Sequence, residues 1–161
     1  MNRRIRRGAE LVLFVVLCEM AGVLGSFITA TSIPTWYANI RKPDIAPPNW
    51  VFAPVWITLY LLMGVSLFLV WSKTLGKGFG RLAITAFITQ LTLNVLWSYL
   101  FFGLGSPFLG FVEITILWFA IAITIVFFSR ISRTAGLMLL PYLGWVSFAG
   151  YLNYLIFTFN A

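Results

Sequence analysis

Five apolar runs, each about the 20 residues that a helix needs to cross a bilayer, divide this 161-residue chain. They extend from about residue 9 to 31, 53 to 72, 82 to 103, 107 to 129 and 135 to 159. Composition closes off the alternative of a soluble core. Hydrophobic residues make up 61% of the chain and charged residues 9%, against roughly 25% charged in ordinary soluble domains. A water-soluble globule of this size would have too few charges to cover its surface. A soluble enzyme, a disordered regulator and a nucleic-acid binder are thereby disfavoured. The expected fold is an all-α integral membrane protein: one domain over 1–161, built as a bundle of five transmembrane helices.

The connections differ in kind. Residues 32–52 form one long loop holding Pro34, Pro43, Pro47 and Pro48 with Arg41, Lys42 and Asp44. Proline fixes φ and denies helix, so this loop is expected to be structured, a lid over one end of the bundle. The others are short: 73–81, 104–106 and 130–134. Five spans place the N-terminus, 73–81 and 130–134 on one side. That side carries nine of the eleven Lys and Arg residues, and the other side only Arg41 and Lys42. The positive-inside rule puts the nine in the cytoplasm, with the long loop and the C-terminus outside. The net charge of +7 is then read as contact with headgroups. Arg3, Arg4, Arg6 and Arg7 also resemble the start of a cleaved signal peptide. The apolar run behind them is longer than usual for one and contains Glu19, which favours an uncleaved first span. A short chain without a cleavable presequence points to a prokaryotic cytoplasmic membrane.

Within the spans, polar residues recur at helical spacing. Gln90, Asn94 and Ser98 follow i, i+4, i+8, with Trp97 and Phe101 beside them. Pro141, Trp145, Phe148, Ala149, Leu152 and Asn153 share a face of the fifth span. Trp56, Tyr60 and Gly64 share one of the second, and Glu19, Gly22 and Ser26 one of the first. Such residues must face protein or a cavity, because lipid cannot satisfy them. Plain helix packing through small residues and amides accounts for any one stripe. Trp-bearing polar faces on three helices fit better with the wall of a cavity for a flat, mostly apolar ligand. Trp71 reads as an interfacial anchor and Trp118 as packing. The chain has no His and a single Cys, Cys18, so His-ligated metal and an intramolecular disulfide are ruled out. No metal site is expected and no cofactor is required.

Two acids lie inside spans. Glu19 sits about ten residues in, roughly 15 Å deep. It reads either as a proton-coupling site or as a neutral carboxyl hydrogen-bonded between helices. Glu113 lies near the start of the fourth span, where it could cap the preceding turn or hold a loop.

The loop sequence Trp36-Tyr37-x-x-Ile40-x-Lys42-Pro43, then Pro47-Pro48-x-Trp50-x-Phe52-x-Pro54-Val55-Trp56, resembles the TspO family of tryptophan-rich sensory proteins, which includes the animal translocator proteins or peripheral benzodiazepine receptors. Asn94, Trp97 and Ser98 match its third-span motif. Pro141, Tyr142, Trp145, Phe148, Ala149, Leu152 and Asn153 match its fifth-span motif, and Glu113 stands at the family's fourth-span acid. The resemblance implies a five-helix bundle, usually a homodimer, in a lipid bilayer. It implies a pocket under the first loop for porphyrins such as protoporphyrin IX and for isoquinoline or benzodiazepine-type drugs. Pocket residues expected from it and from the stripes are Trp36, Tyr37, Trp56, Asn94, Trp97, Trp145, Phe148, Ala149 and Leu152. It also implies light- and oxygen-dependent porphyrin breakdown at Trp56 and Trp145, the only catalytic candidates, since no acid–base constellation is present. Two features depart from the animal pattern. No Arg follows Tyr154, so the sterol motif is absent, and Leu109 stands where animal relatives carry a Trp.

Three functions follow as expectations: a tetrapyrrole receptor or sensor, a photo-oxidising enzyme, and a small transporter of tetrapyrroles or other apolar molecules coupled to protons through Glu19.

Overall fold

A computed structural model describes residues 3–161, with the Arg3 side chain outside the described set. The described residues form helices and connecting turns only. They comprise α1 (Arg3–Ser32), α2 (Trp36–Asn39), α3 (Asn49–Thr74), α4 (Phe79–Ser98) running into a π turn (Tyr99–Gly103), α5 (Pro107–Ile131), α6 (Arg133–Met138) and α7 (Leu140–Asn160). Five stretches are long and apolar enough to cross a membrane, α6 and α7 counting as one. The protein is an all-α integral membrane bundle of five spans.

The helices overrun the apolar runs. α1 begins at Arg3 rather than residue 9, because arginine is a good helix former and Arg6 Nε pairs with Glu10 Oε1 one turn on, at 3.0 Å. α3 begins at Asn49, set by Pro48 at φ −56° just before it. The fifth span breaks at Leu139, between α6 and α7. Pro141 has no N–H to give the carbonyl four residues back, so the turn there cannot close as α-helix. α3 ends on a left-handed Leu75, followed by Gly76 and Gly78 at positive φ, which reverses the chain into α4.

Side chains sort as a bilayer demands. Val12, Val16, Phe27, Ile57, Ile116 and Phe119 face outward, while Cys18, Met63, Phe87, Ile121 and Phe128 are fully buried. Small residues set the closest approaches. A Cβ on Gly64 would meet the Val15 backbone of α1, and one on Gly25 would lie 3.2 Å from Ser98 Oγ of α4. The Ala21/Gly25 face of α1 is therefore used inside the bundle. Ser26 is exposed, its hydroxyl donating to Val23 O at 2.7 Å.

α1 packs on α3 and α4, and α5 lies between α4 and α7. α7 runs backbone-close to α5, but it meets α3 and α4 through side chains. Side chains fill the space between α3, α4, α5 and α7, and this closed crevice is the candidate site.

Candidate functional site

At mid-depth, Trp56 stacks on Tyr60 (centroids 5.5 Å apart, 29° between planes) and meets Tyr142 edge-on at 6.3 Å. The Tyr60 hydroxyl donates to Asn94 Oδ1. Asn94 Nδ2 donates to the Tyr142 hydroxyl at 2.9 Å. One buried amide thus joins phenols from α3 and α7, bridging the crevice. Trp145 sits above Tyr142 on α7 and packs against Phe52 at 5.9 Å and Phe148 at 5.6 Å. Its ring is half-buried, yet its indole N–H is shut off from solvent and has no partner.

Nearer the loop, Trp97 stacks on Phe101 at 5.2 Å and 11°. Its Nε1 donates to Asn153 Oδ1 at 3.1 Å, and Asn153 Nδ2 donates to Pro107 O at 2.8 Å. Phe101 lies in the π turn and is buried. Tyr37, Phe101, Leu152 and Ile156 are buried together, with Trp36, Ile40, Ala46 and Phe52 packed around them. Ala149 packs against the main core.

The loop is fastened over this end. Asn160 Oδ1 accepts from Arg41 N at 3.0 Å, and its Nδ2 donates to Arg41 O at 2.9 Å. Lys42 Nζ donates to Tyr37 O at 2.6 Å and lies 4.7 Å from the centroid of the Tyr37 ring. Burial pushes the Tyr37 phenol above its ordinary 10.0.

Of the expected pocket residues, Trp56, Trp145 and Ala149 pack on the main core, Asn94 is tied into it through Tyr60 and Tyr142, and Phe148 packs on Trp145; Trp36, Tyr37 and Leu152 belong to the loop-end cluster, and Trp97 touches both. The reading of Glu113 changes. Glu113 caps nothing: Ser106 Oγ caps α5 by accepting from Leu109 N, while both Glu113 carboxyl oxygens are buried without a partner. Lys42 is engaged with the loop's own carbonyls, and Trp50 is 74% exposed, outside the lid's packing. Trp118 has a polar partner, its Nε1 donating to Ser147 Oγ at 2.8 Å. Trp71 is half-buried against Phe14, at 5.7 Å. Sequence reasoning left Tyr60, Tyr142, Phe52 and Phe101 out of the site. Tyr60 lay on the Trp56 stripe, and Tyr142 precedes Trp145 by three residues on the same helical face. Phe101 lies four residues after Trp97, beside the Gln90/Asn94/Ser98 stripe.

Fold and site together define a class: a five-span membrane protein with a crevice of tryptophan, tyrosine and asparagine beneath a fastened loop. The chain belongs to the TspO/MBR family, which it matches over residues 14–158. It is 46% identical over 152 residues to the tryptophan-rich protein TspO of Archaeoglobus fulgidus, covering 94% of this chain and 97% of that one. It is 41% identical over 164 residues to the protein of the same name in Chlorobaculum tepidum, covering 99% of each. It is 37% identical over 148 residues to the human translocator protein, covering 88% of this chain and 86% of the human one.

Proposed function

We propose that the protein is a membrane receptor or sensor that binds porphyrins, protoporphyrin IX among them, and isoquinoline or benzodiazepine-type molecules in the crevice between α7 and α3/α4. The observation that carries this reading is the Trp145 indole N–H, buried and unpartnered beside a network in which Tyr60, Asn94 and Tyr142 satisfy one another. A buried donor without a partner costs free energy, and a ligand acceptor would recover it. Trp56, Trp97 and Trp145 offer π-faces to a flat macrocycle. With bound porphyrin as sensitiser, oxygen and light, Trp56 and Trp145 are the oxidisable groups at hand, so porphyrin breakdown is the activity proposed for the site. The proposed setting is a homodimer in a prokaryotic cytoplasmic membrane.

The test is titration of purified protein with protoporphyrin IX, followed by quenching of Trp fluorescence. Saturable quenching is expected, weakened by Trp145→Phe, which keeps an aromatic ring and removes the N–H. The loss expected is about 3- to 10-fold in Kd, the worth of one hydrogen bond. Unchanged affinity in that variant, or quenching that never saturates, refutes the reading.

A further inference from the structure

α1 carries a second periodicity beside the faces it buries. Val12, Val16, Glu19, Val23, Ser26 and Ala30 follow one another at alternating intervals of four and three residues. That 3.5-residue repeat keeps one seam of a helix turned toward a partner helix. All six are exposed except Glu19, which is half-buried. The seam stands apart from the contacts α1 makes inside the bundle, where Val15 meets Gly64 of α3, Gly22 lies against the Tyr60 ring and Gly25 against Ser98 of α4. Its other flank carries Leu17, Leu24 and Phe27, bulky exposed side chains suited to lipid. The hydroxyls of Ser26, Thr29 and Thr31 donate to carbonyls of their own helix. Glu19 has no hydrogen bond among the described residues, and it lies about ten residues into the apolar run, roughly 15 Å deep. A carboxylate beside lipid at that depth is costly, and a protonated carboxyl there leaves one donor and one acceptor unused.

Resting on the homodimer setting above, we propose that this seam is the contact between two copies of the chain, α1 against α1, with the two Glu19 carboxyls paired across a two-fold axis. The uneven distribution of Lys and Arg orients every copy alike in the membrane, so two copies lie parallel and bring Glu19 to the same depth. An isologous contact sets a residue near the axis against itself. A protonated carboxyl complements itself there: the O–H of each donates to the carbonyl oxygen of the other, and both donors and both acceptors are satisfied without charge. Lipid tails offer neither group. In a bilayer, apolar surface alone does not draw helices together; close packing and hydrogen bonds between helices do. The valines and Ala30 permit that approach, and Ser26 keeps its hydroxyl on Val23 O. The Ala21/Gly25 face cannot serve instead, since Ala21 is buried and Gly25 is packed on α4.

The experiment measures dimer affinity in lipid vesicles, by energy transfer between donor- and acceptor-labelled copies carrying Lys77→Cys, with Glu19 intact or changed to Gln or Met. Glu19→Gln retains a donor and an acceptor and should dimerise within about threefold of the protein with Glu19 intact. Glu19→Met keeps the length of the side chain, removes both oxygens and should weaken the dimer about tenfold. Cross-linking gives a readout independent of those variants, because the native Cys18 is buried and stays silent. Under oxidation, Val16→Cys and Val23→Cys should form disulfide-linked dimers, while Leu17→Cys and Leu24→Cys on the lipid flank should not. Equal dimer affinity in Glu19→Met and the Glu19 protein, or cross-links at Leu17→Cys and Leu24→Cys in place of Val16→Cys and Val23→Cys, overturns the seam and leaves a homodimer built through another face. Absence of energy transfer with Glu19 intact overturns the seam and the homodimer together, whatever the porphyrin titration gives.

Discussion

At the scale of single residues, Asn94 has more depending on it than either aromatic partner. Its amide accepts from Tyr60 and donates to Tyr142, and all three side chains are buried. Replacing it with Leu keeps the volume but strands two phenols in an apolar interior. The expected cost is about 1–3 kcal/mol, measured as a fall in Tm, since an unmade buried hydrogen bond carries the full desolvation penalty. The triple change Tyr60→Phe, Asn94→Leu, Tyr142→Phe removes donors and acceptors together and should recover most of that loss. A triple variant no more stable than Asn94→Leu alone would show that the amide acts through packing rather than hydrogen bonding. Asn94 was readable from the Gln90/Asn94/Ser98 spacing, as was its burial. Its partners were not, because periodicity on one helix names a face but says nothing about what stands opposite.

At the scale of elements, the five spans were legible because length and hydropathy alone decide whether a segment crosses a bilayer. Their ends were less so, since the polar first turn of α1 holds through an i, i+4 pair that apolar counting ignores. The fastening of the proline-rich loop lay beyond the reach of local sequence. Asn160 stands 119 residues from Arg41, and nothing local announces that its side chain clasps both backbone groups there. Removing that clasp with Asn160→Ala should loosen residues 33–48 without disturbing the spans. Backbone amides in that segment are expected to exchange several-fold faster, with Tm nearly unchanged. Alkaline pH should act the same way through Tyr37. Its folded phenol titrates above the ordinary 10.0, so the docked loop holds its proton after an undocked one has released it. Loop docking is then at full strength below about pH 10 and is lost as pH rises through the docked phenol's higher pKa. Tyr37→Phe should abolish that pH dependence. Equal exchange rates in the wild type and Asn160→Ala would mean that packing of Tyr37 on Phe101 and Phe102 holds the loop by itself.

At the scale of the whole molecule, the distribution of charge is a physical asymmetry that the fold makes visible. Arg130 lies over the Phe79 ring at 5.9 Å, joining the ends of α4 and α5, and Phe14 meets Trp71 near the end of α3. These contacts gather the N-terminus and the 73–81 and 130–134 connections at one pole of the bundle. The opposite pole holds the loop and the end of α7, clasped at Arg41 and Asn160. Basic residues resist translocation when they flank short connections, so the cation-rich pole is expected in the cytoplasm and the lid outside. The single cysteine makes this testable with little engineering, for Cys18 is fully buried and should be silent to a membrane-impermeant maleimide. Asp44→Cys in the loop and Lys77→Cys in the inner turn introduce thiols at exposed positions of opposite poles. In right-side-out vesicles the Asp44→Cys protein should label and the Lys77→Cys protein should not. In inverted vesicles the pattern should reverse. Labelling of Lys77→Cys from the outer face would place the lid in the cytoplasm, and a ligand would then have to reach the crevice from inside the cell.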